Sequence, residues 1–224
     1  MKLSIIIPVY NEVKTVEEVI EKVKKLKIDK EIVVVDDGSI DGSRELLKEI
    51  KGIKLILHER NIGKGGAVRT GLDNIDGDVV VIQDADLEYD PEDFLEMMNE
   101  IEKGEKVVYG SRFLGKKFKK VILYLHYKGN QFLSLLTSLL YFRKITDMET
   151  CYKMFRKEVM EGVKLRARGF DLEPEITAKI LKRGYKIKEV PISYNARGFK
   201  EGKKITWKDG IKAGWYLLRY RFVD

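Results

Sequence analysis

The 224 residues, 44% hydrophobic and 35% charged, describe a folded chain long enough for one large α/β domain, and exclude a disordered one. The single cysteine, Cys151, excludes an internal disulfide and a thiolate-built zinc site and fits a reducing compartment. A net charge of +7 suits nucleic acid, an anionic membrane or a phosphorylated substrate, but the basic residues gather in 112–144 and 182–221 while 84–105 is acidic, which argues against a uniform nucleic-acid surface.

In chain order, Leu3–Val9 reads as a buried strand; its apolar run is too short, and too soon ended by Pro8, for a signal peptide. Lys14–Leu26 is an amphipathic helix with Val16, Val19, Ile20, Val23 and Leu26 on one face, and Thr15 and Glu18 stand at capping-box spacing. Glu31–Asp36 is a strand, nearly all apolar as a parallel strand covered on both faces should be. There follow a helix near Gly42–Ile50, a strand Ile53–His58, a helix Gly65–Asn74, a strand Asp78–Gln83, a helix Pro91–Glu102 and a strand Lys106–Gly110. The second half is less regular. It holds a broken apolar stretch Val121–Phe142, a helix around Pro174–Arg183, a short strand near Lys188–Tyr194 and a basic C-terminal helix. Phe132–Phe142 is about half the ~20 residues that a membrane span needs.

Alternating strands and helices imply a doubly wound, mostly parallel, Rossmann-like sheet with helices on both faces, one domain from 1 to 224. Such sheets bind ligands at the carboxyl ends of their strands, where four polar loops fall. Asp84-Ala85-Asp86, with Glu88 two residues on, places alternate carboxylates at a strand end, a donor set for a hard divalent cation such as Mg²⁺ or Mn²⁺; an acidic turn before a helix is the plainer reading. Asp36-Asp37-Gly38-Ser39 offers carboxylates for a ribose or base, with Ser39 or Asp41 left to cap the next helix. Asn61 to Ala67 departs from the phosphate-loop pattern because Gly65 follows Lys64, so its glycines are expected to serve tight packing. Tyr10-Asn11-Glu12 pairs an aromatic with a carboxylate, suited to a nucleobase or to a plain helix start. Arg197 to Lys204 is a basic loop that can clamp a phosphate. His58 and His126 form no metal or triad pattern and are read as structural.

Together these motifs resemble family 2 glycosyltransferases, specifically the polyprenyl-phosphate sugar synthases. The matching residues are Ile7-Pro8-Val9-Tyr10-Asn11-Glu12, Val35-Asp36-Asp37-Gly38-Ser39 with Asp41-Gly42, Asn61-x-Gly63-Lys64-Gly65, Asp84-Ala85-Asp86-Leu87, Gly110-Ser111-Arg112, Asp147 to Lys153 and the Arg197 to Lys204 loop. The resemblance implies a GT-A fold, with 1–111 the nucleotide-sugar half and 112–224 the acceptor half. It implies that Pro8, Tyr10, Glu12, Val35 and Asp37 surround base and ribose. Asp84, Ala85 and Asp86 would meet the sugar diphosphate, with Asp86 the principal metal ligand beside Asp84 and Glu88. Glu88 stands where mannose synthases often carry glutamine. Arg112, Arg197 and Lys203 would bind donor and acceptor phosphates.

The implied reaction is inverting transfer of a hexose from GDP-mannose or UDP-glucose to a polyprenyl or dolichyl phosphate, by a protein held at the cytoplasmic face of a membrane. A phosphate acceptor arrives ionised; a hydroxyl acceptor would need a base, for which Asp147 or Glu149 is the candidate. Transfer to a saccharide hydroxyl, nucleotidyl transfer and a non-catalytic binder of lipid surfaces or nucleic acid are the rival readings. Lys116–Phe142 and the C-terminal helix are expected to face the membrane; the alternative is that Phe132–Phe142 packs into the core or a homodimer interface. Members of that family often carry C-terminal membrane helices. Here the sequence stops at Asp224, so a soluble form or one lacking those helices is expected.

Overall fold

A computed structural model of the chain describes residues 1–114, 124–169, 171–196 and 207–223, without the side chains of 124–126, 207–209 and 211. Seven strands form one sheet in the order β3-β2-β1-β4-β6-β5-β7. They are β1 (Leu3–Val9), β2 (Lys30–Asp36), β3 (Lys54–Leu57), β4 (Val79–Ile82), β5 (Val107–Ser111), β6 (Lys153–Arg156) and β7 (Lys188–Pro191). The helices are α1 (Val16–Lys25), α2 (Ser43–Glu49), α3 (Lys64–Leu72), α4 (Asp93–Glu102), α5 (Tyr124–Tyr141), α6 (Leu172–Lys182) and α7 (Trp207–Phe222).

The α/β order expected of the first half is present throughout. β1 lies at the centre of its half of the sheet, parallel to both β2 and β4, and Ile5, Ile6 and Ile7 are wholly buried. Only a strand covered on both faces can bury consecutive residues, which is why this run is apolar without alternation. Helix α1 buries Val16, Val19, Ile20 and Val23, the expected face.

One local expectation is corrected, and one strand is added to those expected. Thr15 is the N-cap of α1, but its hydroxyl makes no capping bond; it donates to the carbonyl of Ala85 at 2.7 Å instead. A tertiary acceptor has displaced the capping box, tying the start of α1 to the loop after β4. The added strand is β6, which runs antiparallel between β4 and β5 in the otherwise parallel sheet. Its four residues lie next to a buried loop, and nothing in their sequence pattern separates them from that loop.

In the second half, α5 and α7 pack against each other and against α6 around Leu133, Ile145, Met148, Leu181, Ala213 and Leu217. The opposite faces of α5 and α7 carry Phe132, Leu135, Leu139 and Phe142, and Trp215, Leu218 and Phe222, all exposed. One side of the stretch Phe132–Phe142 thus packs in a core, as one of the two expectations has it, and the other side is exposed. Among the described residues, no helix is long and apolar enough to cross a membrane.

Candidate functional site

The loops after β1, β2 and β4 and the start of α3 meet at the carboxyl edge of the sheet. The first two are laced together. Asn11 takes a left-handed conformation (φ 55°); its side-chain oxygen accepts from the Ile40 amide at 2.9 Å, and its own amide donates to Ser39 Oγ at 3.0 Å. Asp41 accepts from the Val13 and Ser43 amides, and Ser43 Oγ accepts from the Glu12 amide. Residues strained into this region persist where their surroundings over-determine them, commonly at functional sites.

Asp36 and Asp37, expected to be open for ligand, are instead engaged within the protein. Asp36 accepts from Arg44 Nε at 2.7 Å. Asp37 accepts from the Ile62 and Gly63 amides at 3.0 and 2.8 Å and pairs with His58 Nδ1 at 2.8 Å. His58 Nε2 in turn meets Thr70, so this histidine is structural, as expected. Gly38 (φ 77°) explains its own identity, because a Cβ there would lie 2.7 Å from the Arg60–Asn61 peptide. Val35 is wholly buried, so it can offer a ligand no side-chain contact; Pro8 beside it is partly buried, and Tyr10 is exposed.

The acidic loop after β4 does not gather its three carboxylates. Asp84 pairs with Lys64 Nζ at 2.8 Å. Asp86 Oδ1 accepts from the Glu88 amide at 3.2 Å, across Leu87 in a left-handed conformation (φ 61°). Glu88 turns to the Tyr194 hydroxyl at 2.7 Å. Among the described residues, no group of three or more His, Cys, Asp or Glu stands ready to hold a metal. The trio Asp84, Asp86 and Glu88 divides into three separate partnerships, with Ala85 buried between the aspartates.

Lys64 is a residue to which sequence reasoning gave no role. Its ammonium also reaches Glu173 at 2.9 Å and lies 3.8 Å from Cys151 Sγ. Burial works to remove its proton, but Asp84, Cys151 and Glu173 outweigh it and hold the ammonium well above the usual lysine range. The glycines of Asn61–Ala67 make this possible: a Cβ on Gly63 or Gly65 would collide with the backbone of Arg168 or Ala167, and the Gly65 amide donates to the Arg168 carbonyl at 3.0 Å. They serve packing, as expected.

Deeper in the second half, Arg112 and Asp147 form a bidentate pair, 2.7 Å from Nε and 2.6 Å from Nη2 to the two carboxylate oxygens. Burial opposes the arginine's charge, and Asp147 more than restores it. Arg112, expected on phosphate, and Asp147, a candidate base, are thus committed to each other. Glu149 is partly buried, and its carboxyl is pushed up to about 8 by burial first and Glu173 second, against Lys153 and Arg112. Lys153 is wholly buried, with its Nζ donating to the Met148 carbonyl at 2.6 Å. Lys64, Lys153 and Glu173 join this charged cluster, and sequence reasoning gave none of them a role. The lysine inside Asn61-x-Gly63-Lys64-Gly65 was the available signal. Arg197 and Lys203 lie outside the described residues.

Residues 4–163 match the family model described as glycosyl transferase family 2. A dolichol-phosphate mannosyltransferase of Pyrococcus furiosus is 35% identical over 212 residues, covering 91% of this chain and 59% of that protein. Glycosyltransferase AglJ of Haloferax volcanii is 29% identical, covering 87% of this chain and 63% of its own length. The chain thus spans about three fifths of the length of these two relatives. Among solved structures, glucosyl-3-phosphoglycerate synthase of Mycobacterium tuberculosis, in complex with Mn²⁺, uridine diphosphate and phosphoglyceric acid, aligns over 100% of this chain and 79% of that one, with a TM-score of 0.74 at 20% identity. Its complex with uridine diphosphate alone gives 0.76 at 19% identity, with 81% of that chain covered. The fold is GT-A.

Proposed function

The chain belongs to glycosyl transferase family 2, and from that premise we propose that it moves a hexose from a nucleotide sugar to a polyprenyl phosphate, with inversion. The observation that carries the choice of acceptor is the state of the two candidate bases. Asp147 is wholly buried in its bidentate pair with Arg112, and Glu149 is held mostly protonated at neutral pH. Neither is poised to take a proton from a sugar hydroxyl. A phosphate monoester needs no such help, since its second pKa is about 6. Its oxygen attacks the anomeric carbon as the bond to the nucleoside diphosphate breaks, and the diphosphate leaves with the electron pair.

The chain's residues fit a divalent cation in one way. Asp86, partly exposed at the strand end between an Asp84 paired with Lys64 and a Glu88 that accepts from Tyr194, would hold Mg²⁺ or Mn²⁺ together with diphosphate oxygens and water. Such an ion, when bound, stabilises the charge that develops on the leaving diphosphate. Arg197 and Lys203 are proposed to contact the phosphates, and Pro8, Tyr10 and Glu12 to border the base. The donor is GDP-mannose or UDP-glucose. The exposed apolar faces of α5 and α7 are proposed to rest on the cytoplasmic leaflet, bringing the site to its lipid.

The test supplies labelled GDP-mannose or UDP-glucose with either a polyprenyl phosphate or the corresponding polyprenol. Label should enter lipid only with the phosphate. Transfer to the alcohol, or to a saccharide at the same rate, would sink this reading of the acceptor.

A further inference from the structure

Two successive peptide planes of the acidic loop after β4 are held by side chains. The Asp84 carbonyl accepts from Gln83 Nε2 at 2.9 Å, and Gln83 is itself wholly buried, its Oε1 accepting from the Tyr152 hydroxyl at 2.7 Å. The Ala85 carbonyl accepts from Thr15 Oγ1 at 2.7 Å. That carbonyl shares one rigid plane with the Asp86 amide, so a bond that fixes it also fixes the start of the Asp86 backbone. The first plane is anchored from the core of the sheet. The second is anchored from the start of α1, 70 positions earlier in the chain.

The helix does not explain Thr15, whose side chain makes no capping bond. Its hydroxyl instead stands between two parts of the site, for Oγ1 also lies 3.1 Å from Glu12 Oε2 and 3.4 Å from the Glu12 carbonyl. All three neighbours are acceptors, and a threonine hydroxyl carries one proton. The shortest contact takes it, so Ala85 holds the proton and the Glu12 carboxylate competes for it. A ligand that brings Glu12 donors of its own, as the hydroxyl and N–H groups of a nucleoside do, ends that competition. We propose that Thr15 is a positioning residue that couples the two ends of the donor site. Through its one proton, a nucleoside held at Glu12 steadies the peptide that carries Asp86, and a cation held at Asp86 tightens the grip on the nucleotide, since such coupling is reciprocal. The inference rests on the donor and cation readings above.

The test is calorimetry of uridine diphosphate and of guanosine diphosphate on wild type, Thr15→Val and Thr15→Ser, each with Mn²⁺ and with a chelator in its place. Valine keeps the branched shape and removes the donor; serine keeps the donor. Should valine disturb the start of α1, seen as a lowered melting temperature, Thr15→Ala takes its place. In wild type, Mn²⁺ should raise the affinity for the diphosphate that binds. In Thr15→Val that gain should shrink about fivefold to tenfold, the scale for one hydrogen bond, while the affinity in chelator does not fall. Thr15→Ser should keep the gain. A full Mn²⁺ gain in Thr15→Val would overturn the inference. So would equal losses with and without the ion, which a merely structural role would give, or a gain lost alike in Thr15→Ser, which would take the effect away from the hydroxyl. Wild type that binds a diphosphate with no gain from Mn²⁺ would overturn the cation reading and the coupling with it. Wild type that binds neither diphosphate would overturn the donor reading as well.

Discussion

At the scale of single residues, the energetics concentrate in buried charges that have partners. Asp147→Asn removes the counter-charge from Arg112 and leaves a guanidinium buried, so unfolding in urea should show a loss of about 3–5 kcal/mol. An unchanged urea midpoint would mean that Arg112 can leave the pair, and would return it to the phosphate role expected from the family. Glu149 yields a pH prediction. Its carboxyl is raised from 4.5 to about 8 by burial and by Glu173, with Asp147 adding to the rise and Lys153 and Arg112 opposing it. Across that window the folded protein holds a proton that the unfolded chain releases. The stability this confers is complete below pH 4.5 and is lost as pH rises to about 8. Lys153, lowered to about 8 by burial, titrates differently from the unfolded chain only above this window. Glu149→Gln should therefore flatten the fall in stability between about pH 5 and pH 8, measured by thermal melts at a series of pH values. A parallel fall in both proteins would place the proton elsewhere. Asp86→Ala, at a partly exposed strand-end position, should leave the melting temperature nearly unchanged and abolish the Mn²⁺ dependence of nucleotide-sugar binding; equal affinity with and without Mn²⁺ in wild type would remove the ion from the mechanism.

At the scale of elements, α5 and α7 have two different faces. Leu133, Thr137 and Leu217 are buried, while Leu135 and Leu139 are 58% and 64% exposed. An apolar stripe of this kind, with Lys128, Arg143, Lys212 and Arg219 nearby in sequence, matches what a headgroup boundary recognises. Leu135→Glu and Leu139→Glu should each weaken co-sedimentation with anionic vesicles by about 1 kcal/mol, roughly half the value of fully burying a leucine. The melting temperature should hold, because neither side chain is packed. Unaltered vesicle binding, together with loss of a dimer in solution, would assign the stripe to a second copy of the chain. Lys116, Lys117, Lys119 and Lys120, the basic run expected beside it, lie outside the described residues.

At the scale of the whole molecule, the boundary near residue 111 that separates a donor half from an acceptor half does not divide the sheet. Strand β6 comes from the second half and pairs with β4 on one side and β5 on the other, so residues 1–111 alone leave those two strands unjoined. A fragment of 1–111 should fail to give the cooperative urea transition expected of the full chain as a single domain, measured by circular dichroism. A sharp transition in the fragment would establish two folding units. How much was legible without coordinates follows the same division. Composition, apolar runs and strand-helix alternation were enough to identify the parallel half and the loops that end its strands, because each depends on residues within a few positions of one another. The pairing of Asp84 with Lys64, of Arg112 with Asp147 and of Asp37 with His58, and the insertion of β6, were decided only by the tertiary structure. A carboxylate's role depends on which cation or amide reaches it first, and here those partners lie from about 20 to about 110 positions away along the chain.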